Sequence, residues 1–515
     1  MKLLLKSLIL SLALTTTPLF AGDATPDAAI AMKLADVREV ANAGPFEAKW
    51  DSLADYEIPE WYKDAKFGIF IHWGMYSVPG FGNEWYPREM YRQENSRRGI
   101  YEHHQEKYGA NFGYKDFIPM FKAENFDPDA WAQLFKDAGA RYVVPVAEHH
   151  DGFPMYNSDY THWDAAEMGP KRDIISDLSK SIRAAGLHFG VSSHRAEHWW
   201  FYGGGRELPN ADVNDDSYRS LYGPARDRDE SETGVTIPDQ AFLDDWLLRS
   251  AELVDKFEPD LIWFDWWIAS PPFSAHLQTF SSYYYNRGKT FPNMVAINYK
   301  AFGGESFPDT AGGLDIERGG LADIRELLWQ TDTSVSKNSW GYVSNHDYKT
   351  VNSLIDDLVD IVSKNGCMLL NIGPKPDGTI PQKEQDMLLE MGAWLMQNGE
   401  AIYGSRTWDT FGEGATKVKD GKMHNDAEGK RKDFNADDVR FTTQGNTVYA
   451  TILAWPGDGA KFTVRSFTSD ALKGIEDVSM IGAGQLGWKQ DANGLHVTLP
   501  KKAPGQHAYV LKIER

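Results

Sequence analysis

Cysteine is nearly absent: Cys367 is the only one in 515 residues. One thiol makes no intrachain disulfide, so a core must hold the fold, and a chain of this length can bury one. Cys367 sits in the apolar run Gly366-Cys-Met-Leu-Leu-Asn371 and reads as a small buried hydrophobe rather than a nucleophile. Positive charge is also scarce. The 53 Lys and Arg face 74 Asp and Glu, for a net charge of -21. That balance excludes nucleic acid, whose phosphates need clustered cations, and docking on an anionic membrane surface. It leaves room for a local basic patch that binds an anionic glycan. Beyond the N-terminus there is no run of about 18 apolar residues, so no later segment is expected to span a membrane. No Gly-rich phosphate fingerprint follows any strand, which argues against nucleotide binding. Repeats and low-complexity tracts are absent too.

Aromatic residues are plentiful, with 18 Trp, 23 Tyr and 26 Phe. They serve a large core equally well or the apolar faces of pyranose rings. Residues 1–21 read as a signal peptide: Lys2 and Lys6 precede a mostly apolar stretch from Leu8 to Leu19, with small Ala21 at the cut. The protein is therefore expected to be exported, to a periplasm or beyond the cell. Residues 22 to about 55 carry few structural signals.

From Trp61 onward, short apolar runs alternate with amphipathic stretches. Strands are expected at Phe67–Ile71, Tyr142–Ala147, His188–Ser192, Asp260–Phe264, Met294–Asn298 and Met368–Ile372. Helices are expected at Asp127–Gly139, Ile174–Ala185 and Phe242–Phe257, the first opened by the cap-and-proline pair Asp127-Pro128. This alternation implies βαβ units and a (β/α)8-like barrel over residues 22–409, with a doubly wound open sheet as the alternative. After about residue 410 short strands alternate with turns such as Gln444-Gly-Asn446, as in an antiparallel β-sandwich over 410–515. The long polar stretch from His198 to Asp239 follows a strand, where barrels build their active-site rim.

Ionisable residues gather just past the C-terminal ends of the expected strands, the face where barrel enzymes place their chemistry. They are His72, then Glu148 to Asp151, His194, Asp265, Asn298 and the segment Asp315 to Gly319. Asp265 ends an apolar strand and precedes Trp266 and Trp267, which suits a nucleophile attacking an anomeric carbon. A second carboxyl must then protonate the leaving oxygen. Glu317, at an expected strand end before Arg318, is preferred over Glu305 in its Gly-rich loop. His72, His149 and His150 are conceivable metal ligands. Adjacent histidines in a strand point to opposite faces, however, so hydrogen bonds to sugar hydroxyls fit better and no metal or other cofactor is expected.

At these residues the chain resembles the α-L-fucosidases of glycoside hydrolase family 29. The motifs are Ala65-Lys-Phe-Gly-Ile-Phe-Ile-His-Trp-Gly74, Glu84-Trp-Tyr86, His149-His-Asp-Gly-Phe153, Gly169-Pro-Lys-Arg-Asp173, Pro259-Asp-Leu-Ile-Trp-Phe-Asp265, Ser339-Trp-Gly-Tyr342 and Leu370-Asn-Ile-Gly-Pro374. The resemblance implies a metal-independent retaining exo-fucosidase with a barrel followed by a β-sandwich. It makes Asp265 the nucleophile. It lines the fucose pocket with His72, Glu84, Trp85, His149 and His150, and packs Trp263 and Trp340 on the sugar. The substrate would be a fucosylated oligosaccharide or polysaccharide. The chain departs from the family pattern twice. Ser192 and Ser193 stand where many members have a Tyr pair, with His194 available as the replacement contact. Lys300 stands where many have Arg, and lacks its planar fork. Two other outcomes stay open: an exo-glycosidase for a related sugar such as L-galactose, and a non-catalytic glycan-binding protein. Four arginines of the long insertion, Arg206, Arg219, Arg226 and Arg228, suggest a subsite for a branched or sulfated fucan, against the plainer alternative of a solvated loop.

Overall fold

The computed structural model describes residues 26–94, 96–226, 237–301, 307–421 and 433–515. Eight parallel strands close into a barrel in chain order: β1 (Phe67–Ile71), β2 (Tyr142–Glu148), β3 (His188–Ser193), β4 (Leu261–Phe264), β5 (Ala296–Tyr299), β6 (Gly313–Asp315), β7 (Trp329–Ser334) and β8 (Gly366–Ile372). The alternative of an open doubly wound sheet is excluded, because β1 pairs with β8 over five residues.

Strand alternation sorts the side chains into two sets. Phe70, Tyr142, Val144, Val146, Leu261, Trp263, Cys367 and Leu369 fill the lumen as one buried cluster. Ile69, Ile71, Val143, Val191, Ile262, Phe264, Ile297 and Leu370 face the enclosing helices. Cys367 is fully buried, and burial pushes its thiol up to about 11. Gly68 is required on β1, since a Cβ there would lie 2.4 Å from the Tyr142 ring. The helix Pro128–Asp137 starts where Asp127 accepts from the backbone N–H groups of Asp129 and Ala130. Just beyond its end comes Gly139, at φ 85°.

Three features depart from the sequence expectations. β6 has only three residues, and the β7 sequence Trp-Gln-Thr-Asp-Thr-Ser is polar yet wholly buried, so neither shows an apolar signature. Residues 26–43 form a helix although their pattern is weak. Leu34, Val37 and Ala41 turn inward, and Asn286 and Ser282 of the helix Ser274–Gly288 hydrogen-bond its last carbonyls. Residues 1–21 lie outside the described residues.

The C-terminal part is two antiparallel sheets sharing one core. The larger orders its strands β14 (Gly484–Gln485), β13 (Asp477–Met480), β17 (Tyr509–Glu514), β11 (Thr447–Ile452), β10 (Val439–Gln444) and β9 (Arg406–Glu413). The smaller holds β12 (Lys461–Val464), β16 (Gly494–Thr498) and β15 (Trp488–Asp491). Val439, Phe441, Val464, Leu495, Leu511 and Ile513 fill the space between them. The expected turn at Gln444-Gly-Asn446 joins β10 to β11.

A buried charge cluster locks this part to the barrel. Asp360, on the helix Val351–Ser363, accepts from Arg440 of β10 at 2.6 Å and from Lys364 at 2.8 Å. Burial alone would raise the Asp360 carboxyl, but the two cations outweigh it and hold it below its usual range. A depressed carboxyl stabilises the fold above its unfolded pKa of about 3.9 and ceases to do so as pH falls through the folded value. Arg440→Met leaves half of this buried pairing uncompensated. It is expected to cost about 3–5 kcal/mol at pH 7, with the deficit narrowing below about pH 4. Denaturation of both proteins across pH checks this, and equal stability at pH 7 would refute it.

Candidate active site

Seven of the eight barrel strands deliver a polar residue to one cavity at their C-terminal ends, the face on which this architecture builds sites. His72 follows β1, His149 and His150 follow β2, and His194 follows β3. Asp265 follows β4, Lys300 follows β5, Glu317 follows β6, and Asp332 lies within β7. From β8, Asn371 supports the wall. The cavity measures about 350 Å³, a small-molecule size. All ten residues singled out from sequence line it: His72, Glu84, Trp85, His149, His150, His194, Trp263, Asp265, Glu317 and Trp340. Glu305 and Arg228 lie outside the described residues.

Lys300 is the centre of the arrangement. Its buried ammonium lies 3.2 Å from Asp265 Oδ1, 2.9 Å from Glu317 Oε2 and 3.2 Å from Asp332 Oδ2. The same Glu317 oxygen accepts from Trp266 Nε1 at 2.7 Å. On its other oxygen, Asp265 accepts from His194 Nδ1 at 3.0 Å, while Ser192 Oγ lies 3.0 Å from His194 Nε2. Burial would raise the Asp265 carboxyl, but Lys300, His194 and His150 more than offset it, and the group is held well below the usual carboxylate range. Asp265 is therefore an anion at neutral pH. Beneath Lys300, burial and the charge of Asp315 push Asp332 well above its ordinary value. Burial raises the neighbouring Asp315 carboxyl as well, so the two acids compete for charge beneath the same ammonium. Trp263 Nε1, at 3.1 Å, and Gln330 Nε2, at 2.6 Å, donate to Asp315.

His72, His149 and His150 are neutral donor–acceptor groups. Burial and the neighbouring histidines hold His72 and His149 well below the usual range, and burial takes His150 down to about 3. The tautomer of His72 follows from its neighbours. Asn371 Nδ2 donates to the Trp340 carbonyl, so Asn371 Oδ1 is the acceptor that faces His72 Nδ1 at 2.7 Å. The proton sits on Nδ1, and Nε2 is left as an acceptor. Glu84 Oε2 accepts from Trp340 N at 2.8 Å and Ser339 Oγ at 3.1 Å, which fixes the Trp340 loop. The Trp340 ring stacks beside His72 at 5.3 Å and under the Arg318 guanidinium at 4.3 Å.

The expectation that His149 and His150 point to opposite faces is overturned. β2 ends at Glu148 after a register shift between Val146 and Glu148, so strand alternation no longer applies and both rings reach the cavity. Two triads are close enough to share an ion, His72-His149-His194 and His150-His194-Asp265. His194 is common to both, and both its ring nitrogens already have hydrogen-bond partners, so the donor set does not suit a metal. The long insertion supplies the back wall, with Phe201 packed against His150 and Trp85. Its Arg206, Arg219 and Arg226 line a different cavity with Asp215 and Asp216. The sequence marked Lys300 only as a departure from family pattern. It did not single out Asp332, Arg97, Arg98 or Lys337, which also line the site.

Lys300→Met is expected to raise the pH at which Asp265 protonates by about 1–3 pH units, because an opposite charge at this distance has that effect. Lys300→Arg is expected to keep it low. Isotope-edited infrared titration of the carboxyl checks this, and an unmoved titration in Lys300→Met would contradict it.

The family model described as alpha-L-fucosidase matches residues 33–400, and that described as alpha-L-fucosidase C-terminal domain matches 431–514. Tissue alpha-L-fucosidase of Rattus norvegicus is 32% identical over 480 residues, covering 90% of this chain and 92% of its own. Plasma alpha-L-fucosidase of Homo sapiens is 31% identical over 470 residues, covering 89% and 90%. The crystal structure of Thermotoga maritima alpha-fucosidase in complex with fucose superposes with a TM-score of 0.71 at 31% identity, covering 91% of this chain and 100% of that one. With the barrel, the sandwich and the carboxylate-lined cavity, these matches show that the chain is a glycoside hydrolase belonging to the α-L-fucosidases of family 29.

Proposed function

We propose that the protein is a retaining exo-α-L-fucosidase that releases terminal α-L-fucose from fuco-oligosaccharides or fucosylated glycans by double displacement. One observation carries the mechanism. Asp265 Oδ1 and Glu317 Oε2 are held by one nitrogen at 3.2 and 2.9 Å, so they cannot be farther apart than the sum of those distances. That bound is compatible with the roughly 5–5.5 Å between the carboxyl groups of a retaining enzyme, which supports the double-displacement reading.

Asp265, kept anionic, attacks C1 and forms the glycosyl-enzyme. Glu317 gives its proton to the departing glycosidic oxygen, then takes one from the water that hydrolyses the intermediate. Both hydrogen bonds of Glu317 fall on Oε2, which leaves Oε1 to carry that proton. His72, His149, His150 and Glu84 orient the sugar hydroxyls, with Trp85, Trp263 and Trp340 as apolar walls. His194, expected to bind sugar, is proposed instead as a positioning residue, because its nitrogens are spent on Asp265 and Ser192. The proposed division is a catalytic unit over 22–409 and an accessory unit over 410–515. The export reading of residues 1–21 supports action outside the cytoplasm.

Hydrolysis of 4-nitrophenyl α-L-fucoside and of a fucosyl-oligosaccharide tests this. Asp265→Gly is expected to abolish turnover and, with azide, to yield the β-fucosyl azide. Glu317→Ala should lose about 10²–10⁴-fold on the oligosaccharide and yield the α-azide. Normal turnover by Asp265→Gly would reject the assignment.

A further inference from the structure

The cavity is polarised. Glu84, Glu197, Asp265, Glu317 and Asp332 line it and are buried, whereas Arg97, Arg98 and Lys337 line it and are exposed. A chain with a net charge of -21 thus puts three cations at the open end of an acidic pocket. Among the described residues neither Arg97 nor Arg98 forms an ion pair, while Lys337 has Asp347 at 3.3 Å. The Arg97 guanidinium lies 5.7 Å above the Trp85 ring, and Trp85 meets His150 edge-on beside Asp265. Arg98 donates to the carbonyls of Gly82 and Asn338, so it bridges the loop before Glu84 to the loop before Trp340. That fixes its position on neutral carbonyls, with no carboxylate against it among the described residues.

We infer that Arg97 and Arg98 form a rim subsite for an anionic group, a sulfate ester or a carboxylate, on the sugar attached to fucose. This rests on the fucosidase reading and narrows its substrate class. The geometry argues for the aglycone rather than the fucose, because fucose carries no charge and the buried carboxylates would repel an anion placed deeper. Guanidinium forks match the planar oxygen pairs of both anions. The insertion arginines do not supply this contact, since Arg206, Arg219 and Arg226 line another cavity.

The test compares kcat/KM on three matched fucosyl-disaccharides whose second sugar is neutral, O-sulfated or a uronic acid. Wild type is expected to prefer an anionic member over the neutral one. That preference should shrink as salt rises, because exposed charges are screened within about 10 Å at 0.1 M. Arg97→Gln/Arg98→Gln is expected to cut the anionic-to-neutral ratio by at least about tenfold, since charge-assisted hydrogen bonds are worth that much. The single variant Arg97→Gln, whose guanidinium bridges no loops, should lower the ratio without disturbing the rim. Whether the sulfated or the uronic substrate loses more identifies the anion. A wild-type ratio of one or below, or a ratio unmoved in both variants, overturns the subsite while leaving the fucosidase reading intact. Failure to cleave any of the three, or the aryl fucoside, overturns both.

Discussion

The site depends on one buried ammonium. Lys300 Nζ touches three buried carboxyls, and burying any of those charges without a partner would be costly. Burying a charge is costly unless it is paired and hydrogen-bonded. Here the ammonium is paired with carboxyl oxygens on three sides. One cation faces Asp265, Glu317 and Asp332 together. Removing any one member changes the charge of the others, so the cluster is one unit. It keeps Asp265 anionic at the base of the pocket, the state that the proposed nucleophile requires.

The scaffold serves that cluster. The eight strand ends converge from residues spread between Ile71 and Ile372, and the lumen beneath them is packed with Phe70, Tyr142, Trp263 and Leu369. Polar residues reach down into that core only where they are paired. Gln330 donates to Asp315 and accepts from Tyr62 and Tyr142, carrying hydrogen bonding from the polar layer under Lys300 into the barrel interior. A second network ties β2 and β3 to the helix Gln240–Phe257. Glu148 contacts Arg195 and Arg249, and both arginines contact Asp245. It lies directly behind His149, His150 and His194, so the histidine wall rests on rigid elements.

Much of this was legible in the chain because apolar strands ending in His, Asp or Glu have a specific meaning in a barrel. Six of the eight strands announced themselves by short apolar runs. β6 and β7 did not, for a physical reason: they carry Asp315, Gln330 and Asp332, the buried polar layer under Lys300, and a buried polar residue looks like a surface residue in sequence. The importance of Lys300 was hidden similarly, since only the fold brings β4, β5, β6 and β7 together around it. The orientation of His149 and His150 was misjudged because a register shift ends β2 before them. The helix at residues 26–43 is held by carbonyl contacts from Asn286 and Ser282, which no local pattern records.

The central claim is that Asp265 forms a covalent bond to the sugar under the control of Lys300. Its most direct test is trapping with a 2-deoxy-2-fluoro-L-fucosyl fluoride, followed by peptide mapping with mass spectrometry. The account predicts a single fluorofucosyl adduct on the peptide bearing Asp265, formed more slowly in Lys300→Met than in wild type. An adduct on another carboxylate, or hydrolysis of the reagent with inversion and no adduct, would contradict it.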